Sequence, residues 1–167
     1  MDVLWAPWRM EYIKSSPKQT LSCVFCEKLH DSRDRENLLL HRSSHAFVVM
    51  NPFPYNNGHL MVLPNDHVAG MEMLSDEGLL DFIKTTQLCL ACLREAMMPE
   101  GFNIGINFGK IAGAGLGEHM HMHIVPRWAG DASFITVVGE ARVIPEHLAK
   151  TYDMLAEIFR AKQRNEA

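Results

Sequence analysis

Residues 119–123 read His-Met-His-Met-His, so imidazoles recur at every second position as His119, His121 and His123. Along an extended strand successive side chains point to opposite faces, which puts the three rings on one face and Met120, Met122 and Ile124 on the other. Two chemistries fit such a face: a metal site, or one nucleophilic imidazole supported by its neighbours. A neutral imidazole can attack phosphorus to form a phosphoramidate, dividing one nucleotidyl transfer into two displacements. That route needs hydrogen-bond donors where negative charge develops. The preceding "NFGKIAGAGLGE" offers a glycine-rich turn whose backbone N–H groups can line an anion pocket, and Asn107 adds a side-chain amide.

Four cysteines form two Cys-x-x-Cys pairs, Cys23 with Cys26 and Cys89 with Cys92. In a reducing compartment such pairs point to metal or redox chemistry before structural disulfides. Cys89 and Cys92 fall in the middle of "QLCLACL", where cysteine often behaves as a small buried hydrophobe, the alternative being a four-cysteine site with Cys23 and Cys26 of the arm.

These groups must be positioned by the elements around them. Residues 1–36 read as an irregular arm lying over the domain without building its core. "NLLLH", "HAFVVM" and "HLMVLP" read as strands, the last two joined by the turn "NPFPYNNG". Residues 75–98 predict a helix with a Ser75 N-cap and a stripe of Leu79, Phe82, Ile83, Leu90 and Leu93. "FNIGINF" and "HMHMHIV" predict two more strands around the glycine loop, and "SFITVV" is a candidate for another. A C-terminal helix is expected over 145–163, with Leu148, Tyr152, Leu155 and Phe159 along one stripe. Hairpins with only two main helices predict an α+β domain built on an antiparallel sheet of about five strands.

The chain has 167 residues, enough for one compact core, so a single domain over 1–167 is expected. A net charge of −4 gives no overall pull toward nucleic acid or membrane, and any anionic ligand must be held by local groups. Asp2 and Arg9 interrupt what would have to be the apolar stretch of a signal peptide, and no run of about 18 apolar residues occurs. The expectation is a cytoplasmic protein.

"HMHMHIV" resembles the His-φ-His-φ-His-φ-φ signature of the histidine triad (HIT) superfamily of nucleotidyl hydrolases and transferases. "NPFPYNNGHLMVLPNDH" resembles the turn and strand of that family. "LWAPWRMEYI" and "HIVPRWAGDASFITVVGEARVIPE" resemble its longer bacterial, diadenosine tetraphosphate phosphorylase-like branch.

The resemblance implies a HIT-like fold, a homodimer, and cleavage of dinucleoside polyphosphates through a histidine-nucleotidyl intermediate. It places the nucleophile at His121, a phosphate-side partner at His123 and an orienting histidine at His59. It puts Asn51 on the ribose, with Phe25, Val49 and Phe53 near the base, and Asn107, Gly113, Ala114, Gly115 and His123 around the phosphates. Cys23 and Cys26 would join His67 and His119 in a structural zinc site, since two thiolates and two imidazoles suit tetrahedral zinc. No organic cofactor is implied. Relatives often carry Gln, Ser or Thr just before the triad, whereas this chain has "GAGLG". The phosphorylase-like terminal segments make phosphorolysis the first reading, with hydrolysis or phosphoramidate cleavage as alternatives, and the loop departure motivates a weakly catalytic nucleotide-binding module as another. A metalloenzyme with catalytic metal on the triad stands further off.

Overall fold

The computed structural model describes residues 23–131 and 146–166. Five strands form one antiparallel sheet: β1 (Leu39–Arg42), β2 (Ala46–Met50), β3 (Leu60–Pro64), β4 (Gly101–Ile106) and β5 (Met122–Arg127), in the order β1-β2-β3-β5-β4. The hairpin β2–β3 pairs Met50 with Leu60 and Ala46 with Pro64 across the wide turn, and β4–β5 forms a second hairpin. Pairing of β3 with β5 joins the two hairpins, setting Leu60 opposite Ile124 and Met61 opposite His123. That register brings His59, one residue before β3, beside the histidine strand.

Both main helices follow from sequence signals, and two readings are corrected. The helix α3 (Asp76–Met97) begins at Ser75, whose hydroxyl accepts the Gly78 N–H at 3.0 Å as an N-cap should. Its buried face, however, is Gly78, Phe82, Thr85, Thr86, Cys89, Cys92 and Leu93. Leu79 and Ile83 stay 37% and 40% exposed, since the neighbouring stripe with its small and polar residues is the one buried against the core. The C-terminal helix α4 runs Leu148–Glu166, three residues later than expected at its start; Pro145 and "SFITVV" lie outside the described residues, as does "LWAPWRMEY". Tyr152, Leu155 and Phe159 are buried on the predicted stripe.

The second correction concerns the arm. Val24–His30 (α1) and Asp34–Asn37 (α2) are helical, and α1 builds core. Phe25 is buried with Leu39, Phe47, Val49, Met61 and Leu63 on the sheet face opposite α3 and α4. The larger cluster on the other face joins Val48, Leu60, Met120, Met122 and Ile124 to Phe82, Cys89, Cys92 and Phe159. The alternation of the histidine segment is therefore real: its methionines face one core and its histidines the other. The regular strand begins only at Met122, so His119 and His121 precede it; the Met120 N–H bonds the Val68 carbonyl at 2.7 Å instead of a neighbouring strand.

Candidate functional site

Two histidine-containing clusters lie side by side on the face that α1 covers. In the first, Cys23 Sγ and Cys26 Sγ each lie 3.5 Å from His119 Nδ1, and Cys26 Sγ lies 3.4 Å from His67 Nδ1. The ligand atoms of Cys23, Cys26, His67 and His119 all fall within 4.8 Å of one another. Bonds of about 2.3 Å to sulfur and about 2.0–2.1 Å to nitrogen, in a tetrahedron, put neighbouring sulfur and nitrogen atoms about 3.5 Å apart. The observed spacings match those edges. His119 Nε2 donates to the Pro64 carbonyl at 2.9 Å, which leaves Nδ1 bare and aimed at the thiols. Burial and the neighbouring Cys23 push the Cys26 thiol up to about 11, so a cation bound here must displace the proton from the Cys26 sulfur. The four residues could hold a metal ion. Cys89 and Cys92 take no part; both are buried against the sheet.

The second cluster holds His121, His123 and His59. His121 Nδ1 lies 3.0 Å from the His119 carbonyl, and a carbonyl can only accept, so the ring carries its proton on Nδ1. Its Nε2 therefore keeps a bare lone pair. Burial pushes the His121 ring below its ordinary value, partly opposed by that hydrogen bond, so the ring is neutral at pH 7.

His123 receives the opposite tautomer through a relay. The Tyr55 N–H donates to His59 Nδ1 at 3.1 Å, which makes Nδ1 an acceptor and puts the His59 proton on Nε2. His59 Nε2 then donates to His123 Nδ1 at 3.0 Å, and the His123 proton must sit on its own Nε2. Burial, and His121 after it, push His123 down to about 4, keeping it neutral. The rings of His121 and His123 meet edge to face, with centroids 4.9 Å apart. One ring offers a bare nitrogen and its neighbour an N–H.

Around these rings, Phe25 packs on His121 with centroids 5.2 Å apart, and Tyr55 stacks on His59 at 4.9 Å. His59 is only 1% exposed, which excludes a turn histidine facing solvent. Asn51 lies beside it: its Oδ1 accepts the Phe53 N–H at 2.9 Å and its Nδ2 is 3.4 Å from His59 Nδ1. Val49 is buried and Phe53 exposed. Asn107 follows β4 half-buried, and no hydrogen bond ties it to the imidazoles among the described residues. In the glycine loop the Gly113 and Ala114 N–H groups close turns onto the Lys110 and Gly109 carbonyls at 3.0 and 3.2 Å, while Gly115 is exposed and Leu116 packs on the Phe25 cluster. Two of the three expected amides are thus engaged within the loop.

Sequence reasoning missed Tyr55, and it missed the carbonyls of Pro64 and His119 that sort the tautomers. Tyr55 had a signal, an aromatic four residues before His59 in a turn that folds back on itself. A backbone carbonyl carries none.

A family profile described as the HIT domain matches residues 33–130. The chain is 40% identical over 160 residues to an AP-4-A phosphorylase of Mycobacterium tuberculosis, covering 92% of this chain and 82% of that protein. It is 30% identical over 107 residues to an adenosine 5'-monophosphoramidase of Schizosaccharomyces pombe, covering 64% of this chain and 75% of the other. Among solved structures it resembles a Zn-bound histidine triad family protein from Mycobacterium smegmatis, with a TM-score of 0.68 and 26% identity over 87% of this chain and 98% of that one.

Proposed function

The chain belongs to the histidine triad (HIT) family, and on that premise we propose that it is a nucleotidyl transferase acting on dinucleoside polyphosphates, converting diadenosine tetraphosphate and phosphate to ADP and ATP. The observation that carries the reading is the bare Nε2 of a neutral His121 beside the Nε2–H of His123. His121 Nε2 attacks the α-phosphorus, the bond to the bridging oxygen breaks, and ATP leaves. The imidazole becomes cationic while its Nδ1–H stays on the His119 carbonyl, which stabilises that charge. His123 donates its Nε2–H to a phosphoryl oxygen. An oxygen of inorganic phosphate then attacks the phosphoramidate phosphorus, the P–N bond breaks back to His121, and ADP leaves. Asn51 receives the ribose, Phe25 and Phe53 flank the base, and Asn107 with the loop of Gly113, Ala114 and Gly115 faces the phosphates. Their support is the family resemblance together with the position of Phe25 and Asn51 beside the imidazoles.

The metal in this reading is zinc, held by Cys23, Cys26, His67 and His119; the donor set and the tetrahedral spacing support it, as does the likeness to a Zn-bound relative. Bound there, the ion supplies fixed geometry, tying α1 to the histidine segment. The protein works as a homodimer in the cytoplasm. Supporting the dimer, β4 is an edge strand with Ile104 46% exposed and Phe108 exposed just beyond it. No described helix is long and apolar enough to cross a membrane.

Product analysis from diadenosine tetraphosphate with and without inorganic phosphate tests the reaction. ADP and ATP that appear only with phosphate are expected; phosphate-independent AMP release favours the hydrolase instead. Light scattering is expected to give twice the mass of one chain, and a single-chain mass overturns the dimer.

A further inference from the structure

The relay that sets the His123 tautomer depends on a backbone group, the Tyr55 N–H, in the turn between β2 and β3. A backbone N–H stays on target only if its turn is held, and the structure shows what holds it. Asn56 uses both amide hydrogens on the far end of the second hairpin: Nδ2 donates to the Pro126 carbonyl at 3.1 Å and to Asp131 Oδ2 at 2.9 Å. Its Oδ1 accepts the Asn57 N–H at 3.1 Å, and its carbonyl accepts the His59 N–H at 3.2 Å, closing a tight turn with Gly58 at φ +72°, in the left-handed region. Asp131 is fixed in turn by Arg127, whose Nε and Nη2 donate at 2.6 and 2.7 Å, and by the Trp128 N–H at 3.1 Å. Arg127 Nη1 also donates to Asn103 Oδ1 at 2.7 Å, so the anchor reaches β4. On the next residue, Thr151 Oγ1 of α4 lies 3.1 Å from Asn57 Oδ1, in donor position, and 2.9 Å from Glu146 Oε2.

We propose that Asn56 and Asp131 are positioning residues that fix the tautomers of His59 and His123 by holding the Tyr55 N–H on His59 Nδ1. Neither touches an imidazole. They act through the turn: with Asn56 pinned, the Tyr55 N–H stays the shorter of two donors at His59 Nδ1, the other being Asn51 Nδ2 at 3.4 Å, so His59 donates from Nε2 and His123 carries its proton on Nε2 where a phosphate can use it. With the pin gone, His59 Nδ1 loses its shorter donor and relies on the longer Asn51 contact, so His59 inverts part of the time and the His123 Nε2–H is present only part of the time. His121 is insulated from this change, because its own proton is set by the His119 carbonyl.

The inference rests on the proposed function only for its kinetic arm; the tautomers can be read without substrate. The experiment is long-range 1H–15N correlation on full-length, histidine-labelled protein at pH 7.5, which distinguishes protonated from bare ring nitrogens. Wild type should show single Nε2–H tautomers at His59 and His123 and an Nδ1–H tautomer at His121. In Asn56→Ala and Asp131→Ala, His59 and His123 should move to averaged shifts while His121 stays, and kcat on diadenosine tetraphosphate should fall by on the order of a hundredfold, with KM changed far less. Asp131→Asn, which keeps an acceptor for Asn56, should restore most of the tautomer order. Wild-type tautomers in a folded Asn56→Ala protein overturn the proposal. Should that variant not fold, Asp131→Ala decides, since Asn56 keeps its bond to Pro126, and unchanged tautomers there overturn it as well. Averaged tautomers with no detectable turnover in wild type would instead uphold the positioning role and count against the proposed reaction.

Discussion

His119 and His121 stand two residues apart on the same face, yet they present opposite nitrogens. His119 gives its Nε2–H to the Pro64 carbonyl and turns Nδ1 toward Cys23 and Cys26; His121 gives its Nδ1–H to the His119 carbonyl and leaves Nε2 bare. Identical side chains in an alternating pattern thus expose opposite nitrogens because different carbonyls claim the other one, which suits one to the proposed metal site and the other to the proposed nucleophilic role. An imidazole's role is set by the partner of its other nitrogen. The two clusters also meet at one peptide, since the residue that faces the thiols supplies the acceptor that orients the His121 ring.

Three measurements test that contrast. The largest effect is expected for His121→Ala, which should lower turnover of diadenosine tetraphosphate by on the order of 10⁴-fold or more while bound zinc, read by elemental analysis, stays at the wild-type level. Retained turnover would remove His121 from the nucleophile's place.

Cys26→Ser should do the reverse. If the zinc site contributes about 3 kcal/mol, Tm falls by roughly 6–12 °C for a chain of this size, with zinc lost and most turnover kept in the cold. Stringent chelation of wild type should reproduce this, and complete inactivation by chelation at low temperature would argue that the metal is catalytic.

The smallest effect is the pH dependence of stability. Burial pushes His123 down to about 4, whereas the same ring in an unfolded chain titrates near about 6.5. Below about 6.5 the unfolded chain takes up a proton that the folded chain refuses, so this contribution is complete above about 6.5 and is lost as pH falls toward 4. Calorimetry on chelated protein should show Tm declining across that window, and His123→Asn should flatten the decline. Equal slopes in both proteins would mean that His123 is not the buried neutral ring described here.

Much of the fold was legible because its signals are local. The Ser75 cap and the turn "NPFPYNNG" act within a few residues and each produced the expected element, while the alternation around His121 put the rings on one face although the regular strand begins only at Met122. The errors came where partners are distant. α1 was read as irregular because seven residues carry little periodicity; Phe25 becomes core only through Phe47 and Met61, far along the chain. The stripe on α3 was misjudged at Leu79 and Ile83 because apolar character does not reveal which side meets a sheet.

By itself the sequence determined which residue types are available and on which face they fall, because the two-residue repeat of extended backbone is a local property: His119, His121 and His123 on one side, Met120, Met122 and Ile124 on the other. The tertiary structure alone decided which nitrogen each ring exposes. Pairing of β3 with β5 carries His59 to His123, and packing of α1 carries the thiols to His119. The carbonyls that complete the assignment belong to the backbone, which every sequence shares, so only their placement in space could distinguish them.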